Sequence, residues 1–360
     1  MFQNIDKRTQ ILLIGLLSMG LVSAGVFGFS YFFPRNQTAV SVDLSPILQT
    51  PTIISSSSQT QSSLQIVQIN QITTSIFPVY LIVKEIAKGG IPIKNIASAK
   101  TGFSEYFFGS DDYNIIKSSK GLIFNGAGAD NWAKETSKTL QNNDLSFLNL
   151  SQNTPKNTPT KPFEISQNSQ TTKVAGVDAE NSLYGAAGEL DFNFWQDWDR
   201  TKLNAEQIAQ FLVNLDPENT SLYQQNLATF TSQIDGLKQE FNTGLAACKY
   251  PKKAIITSGA FEYLAKNHNL ELYPITGLET DKIIPAQIET LQKYALEKNI
   301  KVLLINKNLF SATEKTLLEK EIKGLFIWNL RDGQTGLETE TYPEITRQNL
   351  GNLKKAFGCV

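Results

Sequence analysis

The sequence predicts an α/β protein of two Rossmann-like lobes with mostly parallel sheets, joined by one long rigid helix and separated by a cleft. Three observations carry that expectation. Short apolar runs alternate with amphipathic helical stretches on both sides of residue 216, the pattern of parallel strands with helices packed on both faces. Between the halves, Tyr223, Leu227, Phe230, Ile234, Leu237, Phe241 and Leu245 recur at spacings of three and four, which makes one continuous helical stripe. The 360-residue chain, less its N-terminal polar part, leaves roughly 300 residues, enough for two domains of about 150.

The elements follow in order. Residues 1–10 form a short N-terminus expected on the cytoplasmic side, because Lys7 and Arg8 precede an uncharged run from Ile11 to Phe33. At about 1.5 Å per residue that run can cross a hydrocarbon core of roughly 30 Å. It is either an uncleaved membrane anchor or a secretory signal cut near "VSAG", so the rest of the chain is expected to be extracytoplasmic, anchored or secreted. No cysteine lies near the segment, and a lipid-modified cysteine is not expected. Residues 34–65, rich in Ser, Thr, Gln and Pro, read as a flexible linker.

The N-terminal lobe is expected over 66–215. "SLQIVQINQITTS" and "IKNIASA" read as strands, "PVYLIVKEIAKGG" as an amphipathic helix closed by glycines, and "DDYNIIKSS" as a short helix. "KGLIFNGAGADNWAK" is a buried strand entering another helix, and the polar tract from about 139 to 188 reads as a surface loop. A linking helix is expected over 216–247, with Asp216 as N-cap and Pro217 in the first turn. It is either a strut between lobes or a long helix inside one of them. The C-terminal lobe, 248–360, has strands "AIITS", "LELYPIT", "KVLLINK" and "GLFIWNL", and helices "AFEYLAKN", "IPAQIETLQKYALEKN" and "SATEKTLLEKEI".

Composition removes several functions. A net charge of −1 gives no general attraction to nucleic acid. Cys248 and Cys359 lack the spacing of a metal knuckle, and the only histidine, His268, can supply a single imidazole ligand. No nucleophile, metal or dinucleotide constellation can be assembled from one histidine, so an enzyme is not expected. Gly126-x-Gly128 after a strand has no Lys-Ser/Thr follow-up and reads as a tight strand-to-helix turn. His268 reads as an exposed residue at a helix C-terminus, where its positive form would suit the dipole.

"TTSIFPVYLIVKEIA", "KGLIFNGAGADNW", "LDPENTSLYQQNLATFTSQID", "KKAIITSGAFEYLAKNHNLE", "IPAQIETLQKYALEKNIKVLLIN" and the closing "NLGNLKKAFGC" resemble, in matching order, the zinc/manganese ABC-transporter solute-binding proteins, a family of periplasmic or surface lipoprotein-like receptors. The resemblance covers nearly everything from about residue 66 onward. It implies a single transition metal held between the lobes and delivered to a membrane permease. The cleft positions matching the family's ligands are Ser104, Asn193, Gly259 (or Thr276 in the manganese branch) and Asn329. None of these supplies an imidazole or a carboxylate, so zinc or manganese is implied by the family while its ligands are missing. No cofactor is expected. Glu105, Asp191, Asp197 and Asp332 stand close in sequence to the vacated positions; they are either solvated surface groups or an all-oxygen replacement site for a harder cation.

Trp195 and Trp198, with Phe192 and Phe194, either fill the core or line a cleft for an organic ligand. The resemblance places Cys248 and Cys359 in the same lobe, where they are expected to pair and pin the tail across its sheet. Two functions remain: a membrane-anchored solute-binding protein with a degraded metal site, or a cell-surface interaction and adhesion platform on the same body. The expected partners are the membrane, an ABC permease and an unidentified small solute or cation, with the protein itself a monomer.

Overall fold

The structure, a computed structural model, describes residues 70–100, 106–141, 143–155, 166–167, 170–171, 191–257, 259–274, 285–305, 324–331, 333 and 335–360. The expected anchor, the linker and the helix "SATEKTLLEKEI" lie outside the described residues.

The first sheet is built from β1 (Ile72–Thr74), β2 (Ile93–Asn95), β3 (Gly121–Phe124) and β4 (Ser146–Asn149), in the order β2-β1-β3-β4 and parallel throughout. Its crossovers carry α1 (Phe77–Ala87), α2 (Ser110–Ser118) and α3 (Asn131–Thr139). Pro78 opens α1, where no helical N–H is lost. β4 falls inside the tract expected to be loop. Its four residues are only half-buried, as suits an edge strand, so "SFLN" gives neither a full apolar run nor a clean alternation. A small antiparallel hairpin, β5 (Ser166–Gln167) and β6 (Gln170–Thr171), follows.

Two helices then run in succession. α4 (Trp198–Leu215) is capped by the Asp197 side chain, which accepts from Arg200 N–H. α5 (Thr220–Gly244), the long helix, has 25 residues and follows a 3-10 turn over Pro217–Asn219. Asp216 does not cap it as expected; its carboxylate instead accepts from Asn219 Nδ2 at 2.8 Å and from Tyr223 Oη.

The second sheet is parallel too, ordered β10-β9-β7-β8: β7 (Lys253–Ile256), β8 (Glu271–Pro274), β9 (Val302–Ile305) and β10 (Phe326–Asn329). With it go α6 (Glu262–His268), α7 (Pro285–Glu297) and α8 (Tyr342–Phe357). α8 carries a capping box, Thr341 with Glu344, and ends on Gly358 in the left-handed region.

The pleat explains how these layers share apolar surface. Consecutive strand residues face opposite sides, so Ile123, Ile256 and Leu304 join a core that runs through both lobes. Their neighbours Leu122, Ile255 and Leu303 join separate outer clusters. Tyr223, Phe230, Ile234, Leu237 and Phe241 of α5 are fully enclosed in the shared core, and each such large side chain is worth about 1.5–3 kcal/mol of burial. α5 packs against α1 and α4 of the first lobe and against α8 of the second. It is therefore a strut between the lobes. Residues 64–360 form one unit.

Cys248 and Cys359 are joined, S–S 2.06 Å, as the resemblance implied. The tail pairs with the segment leaving α5, not across the sheet: Lys249 N–H donates to Gly358 O at 3.1 Å, Tyr250 N–H to Phe357 O at 3.0 Å, and Val360 N–H to Ala247 O at 3.2 Å.

Candidate functional site

Of the expected cleft positions, Asn193, Gly259 and Asn329 lie among the described residues. Ser104 and Thr276, with Glu105, Ser258 and Asp332, lie outside the described residues. Asn193 starts a 3-10 turn (Phe194–Gln196) ahead of α4, and it is wholly buried. Its backbone N–H and its Nδ2 both donate to Asp191 Oδ1, at 2.9 and 2.8 Å. Asp191, also wholly buried, accepts at its backbone carbonyl from Tyr263 Oη of α6 at 2.9 Å. α6 follows directly on the buried turn opened by Gly259. That bond draws the Asp191–Asn193 turn and the Gly259 turn toward one another across the lobes. Asn329 ends β10, half-buried, and Arg331 follows two residues later.

The site's chemistry is unlike a transition-metal centre. Asn193 and Asn329 offer neutral amides and Gly259 no side chain at all. Among the described residues no group of three His, Cys, Asp or Glu is placed to hold a metal ion. Burial pushes the Asp191 carboxyl up to about 7, against the two Asn193 bonds that pull it down; nearby Glu262 adds to the rise and Lys266 opposes it. Asp191 thus anchors its own turn through Oδ1, while its Oδ2 and Asn193 Oδ1 are buried without a partner among the described residues. Asp197 is engaged through both oxygens: it caps α4, pairs with Arg200 at 3.1 Å and accepts from Asn267 Nδ2 at 3.2 Å.

Several expectations need correcting. Trp195 and Trp198 are 5% and 2% exposed, so both are packed in the core with Phe192 and Phe194. The cavity they border, with Gln196, Arg331 and Tyr342, holds about 20 Å³, the size of a single water. His268 is not at the surface; it is 5% exposed, and its Nε2 accepts from Trp198 Nε1 at 3.1 Å. The rings of Trp198 and Phe241 flank it at 5.7 and 5.0 Å. Burial, with Lys252 and Lys238 nearby, lowers its pKa to about 4, so the imidazole is neutral at physiological pH.

The Gly126-x-Gly128 turn is closed on a group of its own. Asp130 accepts from Asn125 N–H at 2.7 Å, Gly126 N–H at 2.8 Å and Ser75 Oγ at 2.5 Å, so a carboxylate occupies the cradle a phosphate would need. Burial raises this carboxyl to about 6 despite those bonds. Gly126 is required here: its φ is 75° and a Cβ would fall 2.2 Å from Asn149 Oδ1.

One part of the joint carries no apolar signal in the sequence. The segment after β10 forms a strap onto the first lobe. Gly336 N–H donates to Ala99 O at 2.6 Å, and Lys84 Nζ to Glu338 O at 2.5 Å and Glu340 O at 3.3 Å. Within the strap Arg331 pairs with Glu340, Nη1 to Oε1 at 2.5 Å and Nη2 to Oε2 at 2.9 Å. Gly336 sits so tightly that a Cβ would lie 2.6 Å from Phe77 Cε1. The only clue in "LRDGQTGLETET" is its paired glycines among polar residues.

The model of the family "Zinc-uptake complex component A periplasmic" (ZnuA) matches residues 72–356. The chain is 24% identical over 291 residues, 79% of this chain and 87% of the relative, to the high-affinity zinc uptake system protein ZnuA of Bacillus subtilis (strain 168). It is 26% identical over 175 residues to the manganese ABC transporter substrate-binding lipoprotein PsaA of Streptococcus pneumoniae, covering 48% of this chain and a little over half, 56%, of that relative. Among solved structures, Zn(II)-bound AdcA of Streptococcus pneumoniae superposes with TM-score 0.65 at 20% identity, over 80% of this chain and 57% of that one. The laminin-binding protein Lmb of Streptococcus agalactiae, described as a bifunctional protein with adhesin and metal transporting activity, gives TM-score 0.64 at 19% identity, over 81% of this chain and 100% of that one. With the parallel two-lobe fold, the strut and the match over 72–356 in agreement, the chain belongs to the ZnuA family of periplasmic zinc-uptake components.

Proposed function

We propose that this protein is the extracytoplasmic solute-binding component of an ABC importer, held at the membrane by its N-terminal segment, in which the transition-metal site has been dismantled. It is a receptor and not an enzyme, and it presents its solute to a permease. The support for import comes from relatives named as a zinc uptake protein, matched over 79% of this chain, and a manganese ABC transporter substrate-binding lipoprotein, matched over 48%. The observation that supports the loss is the second-ligand turn, where a neutral amide, Asn193, stands in place of an imidazole in a chain whose one histidine, His268, is already engaged with Trp198. The adhesion platform remains the second reading, resting only on what is said of neighbours such as Lmb.

The decisive experiment is elemental analysis of the natively purified protein, with melting curves against Zn²⁺, Mn²⁺ and Ca²⁺. Tight binding to the folded state would raise Tm by mass action, about 2.7 kcal/mol at a hundredfold excess over Kd. No stoichiometric zinc or manganese and no Tm shift with either is the expected result. A tightly held equivalent of either metal would overturn the dismantled-site reading.

A further inference from the structure

We infer that the groove where the strap meets the first lobe is a binding site for a small anion bearing carboxylate or phosphate groups. It rests on the import reading above and names the class of solute. The groove holds about 320 Å³ and is lined by Lys100 of the first lobe and by Arg331, Thr335, Gly336, Leu337 and Glu340 of the strap. That volume suits a small molecule.

The hydrogen-bonding capacity left over among these residues is that of donors. Both Glu340 oxygens are occupied, Oε1 by Arg331 Nη1 and Oε2 by Arg331 Nη2 and by Leu337 N–H at 2.7 Å. Gly336 N–H is spent on Ala99 O. Arg331 Nη1 also reaches Gln348 Oε1 at 3.2 Å, and Nη2 reaches Thr335 O at 3.1 Å. What remains is Arg331 Nε and Thr335 Oγ1, each buried without a partner among the described residues, on residues only 6% and 4% exposed. An arginine Nε–H can only donate, and a hydroxyl can do so. An unsatisfied buried donor is costly, so an acceptor at this place is favoured. The Arg331–Glu340 pair cancels its own charge, which leaves Lys100, exposed at the rim, to set a positive balance.

The site is also built rigidly. Arg331 N–H donates to Asn349 Oδ1 at 2.8 Å, and Asn349 Nδ2 returns a bond to Arg331 O at 2.6 Å, fixing the strap's first residue to α8. An anion seated between Lys100 and Thr335 touches both lobes, beside the existing Gly336–Ala99 bond. Occupancy would therefore tighten the joint, the coupling a solute receptor needs.

The test is calorimetric titration of the whole exported chain with citrate and, separately, with inorganic phosphate, on wild type, Lys100→Gln and Thr335→Val. Binding of either anion is expected, the preferred one identifying whether carboxylate or phosphate is the feature recognised. Each variant should weaken it about 10- to 100-fold, the loss of one charge-assisted hydrogen bond. Absence of binding by both anions, or affinities unchanged in the exposed-site variant Lys100→Gln, would overturn the proposal. Metal content reports separately on the import reading: stoichiometric zinc or manganese would refute the dismantled site whatever the anions do.

Discussion

His268 gives the most direct physical test of how the lobes are packed. Its ring lies between Trp198, from the first lobe, and Phe241, from the strut, and accepts a hydrogen bond from Trp198 Nε1. A proton on Nε2 would destroy that bond and place a charge in the core, which is why the folded pKa falls from 6.5 to about 4. Above pH 6.5 the imidazole is neutral in both the folded and the unfolded chain, and its contribution does not vary. Below 6.5 the unfolded chain takes up a proton that the folded chain refuses until about pH 4. Stability therefore falls as pH falls through that window, by about 2 kcal/mol between pH 7 and pH 4.5. Asp191 and Asp130 titrate in the opposite sense over overlapping ranges, so the single-protein profile is not diagnostic. The difference between wild type and His268→Gln is, because the other groups are common to both. Glutamine keeps an acceptor for Trp198 and cannot protonate. Urea denaturation of both proteins at pH 7, 6, 5 and 4.5, with the disulfide intact, should show the wild type losing ground to the variant by about 2 kcal/mol as the solution is acidified. A gap constant within about 0.5 kcal/mol, or one widening in the wild type's favour, would refute a neutral buried imidazole at this joint.

Asp191→Asn tests the neighbouring turn with the opposite sign. A carboxyl raised from 3.8 to about 7 holds its proton in the folded state, so its contribution declines as pH rises between those values. The variant should gain on wild type by about 2 kcal/mol from pH 5 to pH 8 in the same denaturation assay. Replacing Cys248 and Cys359 by serine opens a bridge that spans 111 residues. It should cost about 3–5 kcal/mol, read as a lower urea midpoint that matches wild type in reductant.

Much of this fold was legible because its local signals were strong. β3, β7 and β9 are short apolar runs enclosed on both faces, and the stripe of α5 needs seven apolar residues at helical spacing. α4 was hidden for a physical reason: its buried face includes Thr201, Asn204, Ala205 and Ala209, small or polar residues that fit close helix packing without raising the apolar signal. α8 was not hidden in this way: its buried face carries Tyr342, Ile345, Leu350, Leu353 and Phe357, and Thr341, Pro343, Glu344 and Gly358 are start and stop signals that could have been read. The environment of His268 was not readable from "KNHNL", since its partners Trp198 and Phe241 lie far away in the chain. That one histidine cannot furnish several ligands was readable in the composition. The internal partners of Asn193 and Asp197 were not, because they depend on how the 3-10 turn folds back on α6.

The joint between the lobes is held together by protein groups. Direct bonds cross it at several separate points. Tyr263 Oη donates to Asp191 O, and Tyr342 Oη to Trp195 O at 2.6 Å; Asn267 reaches Asp197, and Trp198 reaches His268. Arg200 lies over the Tyr263 ring at 4.5 Å. The strap adds the Gly336–Ala99 and Lys84 contacts on the opposite side of the strut's core. Each neutral bond contributes only about 0.5–1.5 kcal/mol, yet together with the shared core they hold the lobes against one another. A cation placed among Asn193, Gly259 and Asn329 would meet two neutral amides and a glycine, and the neighbouring carboxyl, Asp191, is buried with its Oδ1 holding its own turn. The joint thus keeps its geometry from side-chain packing and direct hydrogen bonds between protein groups.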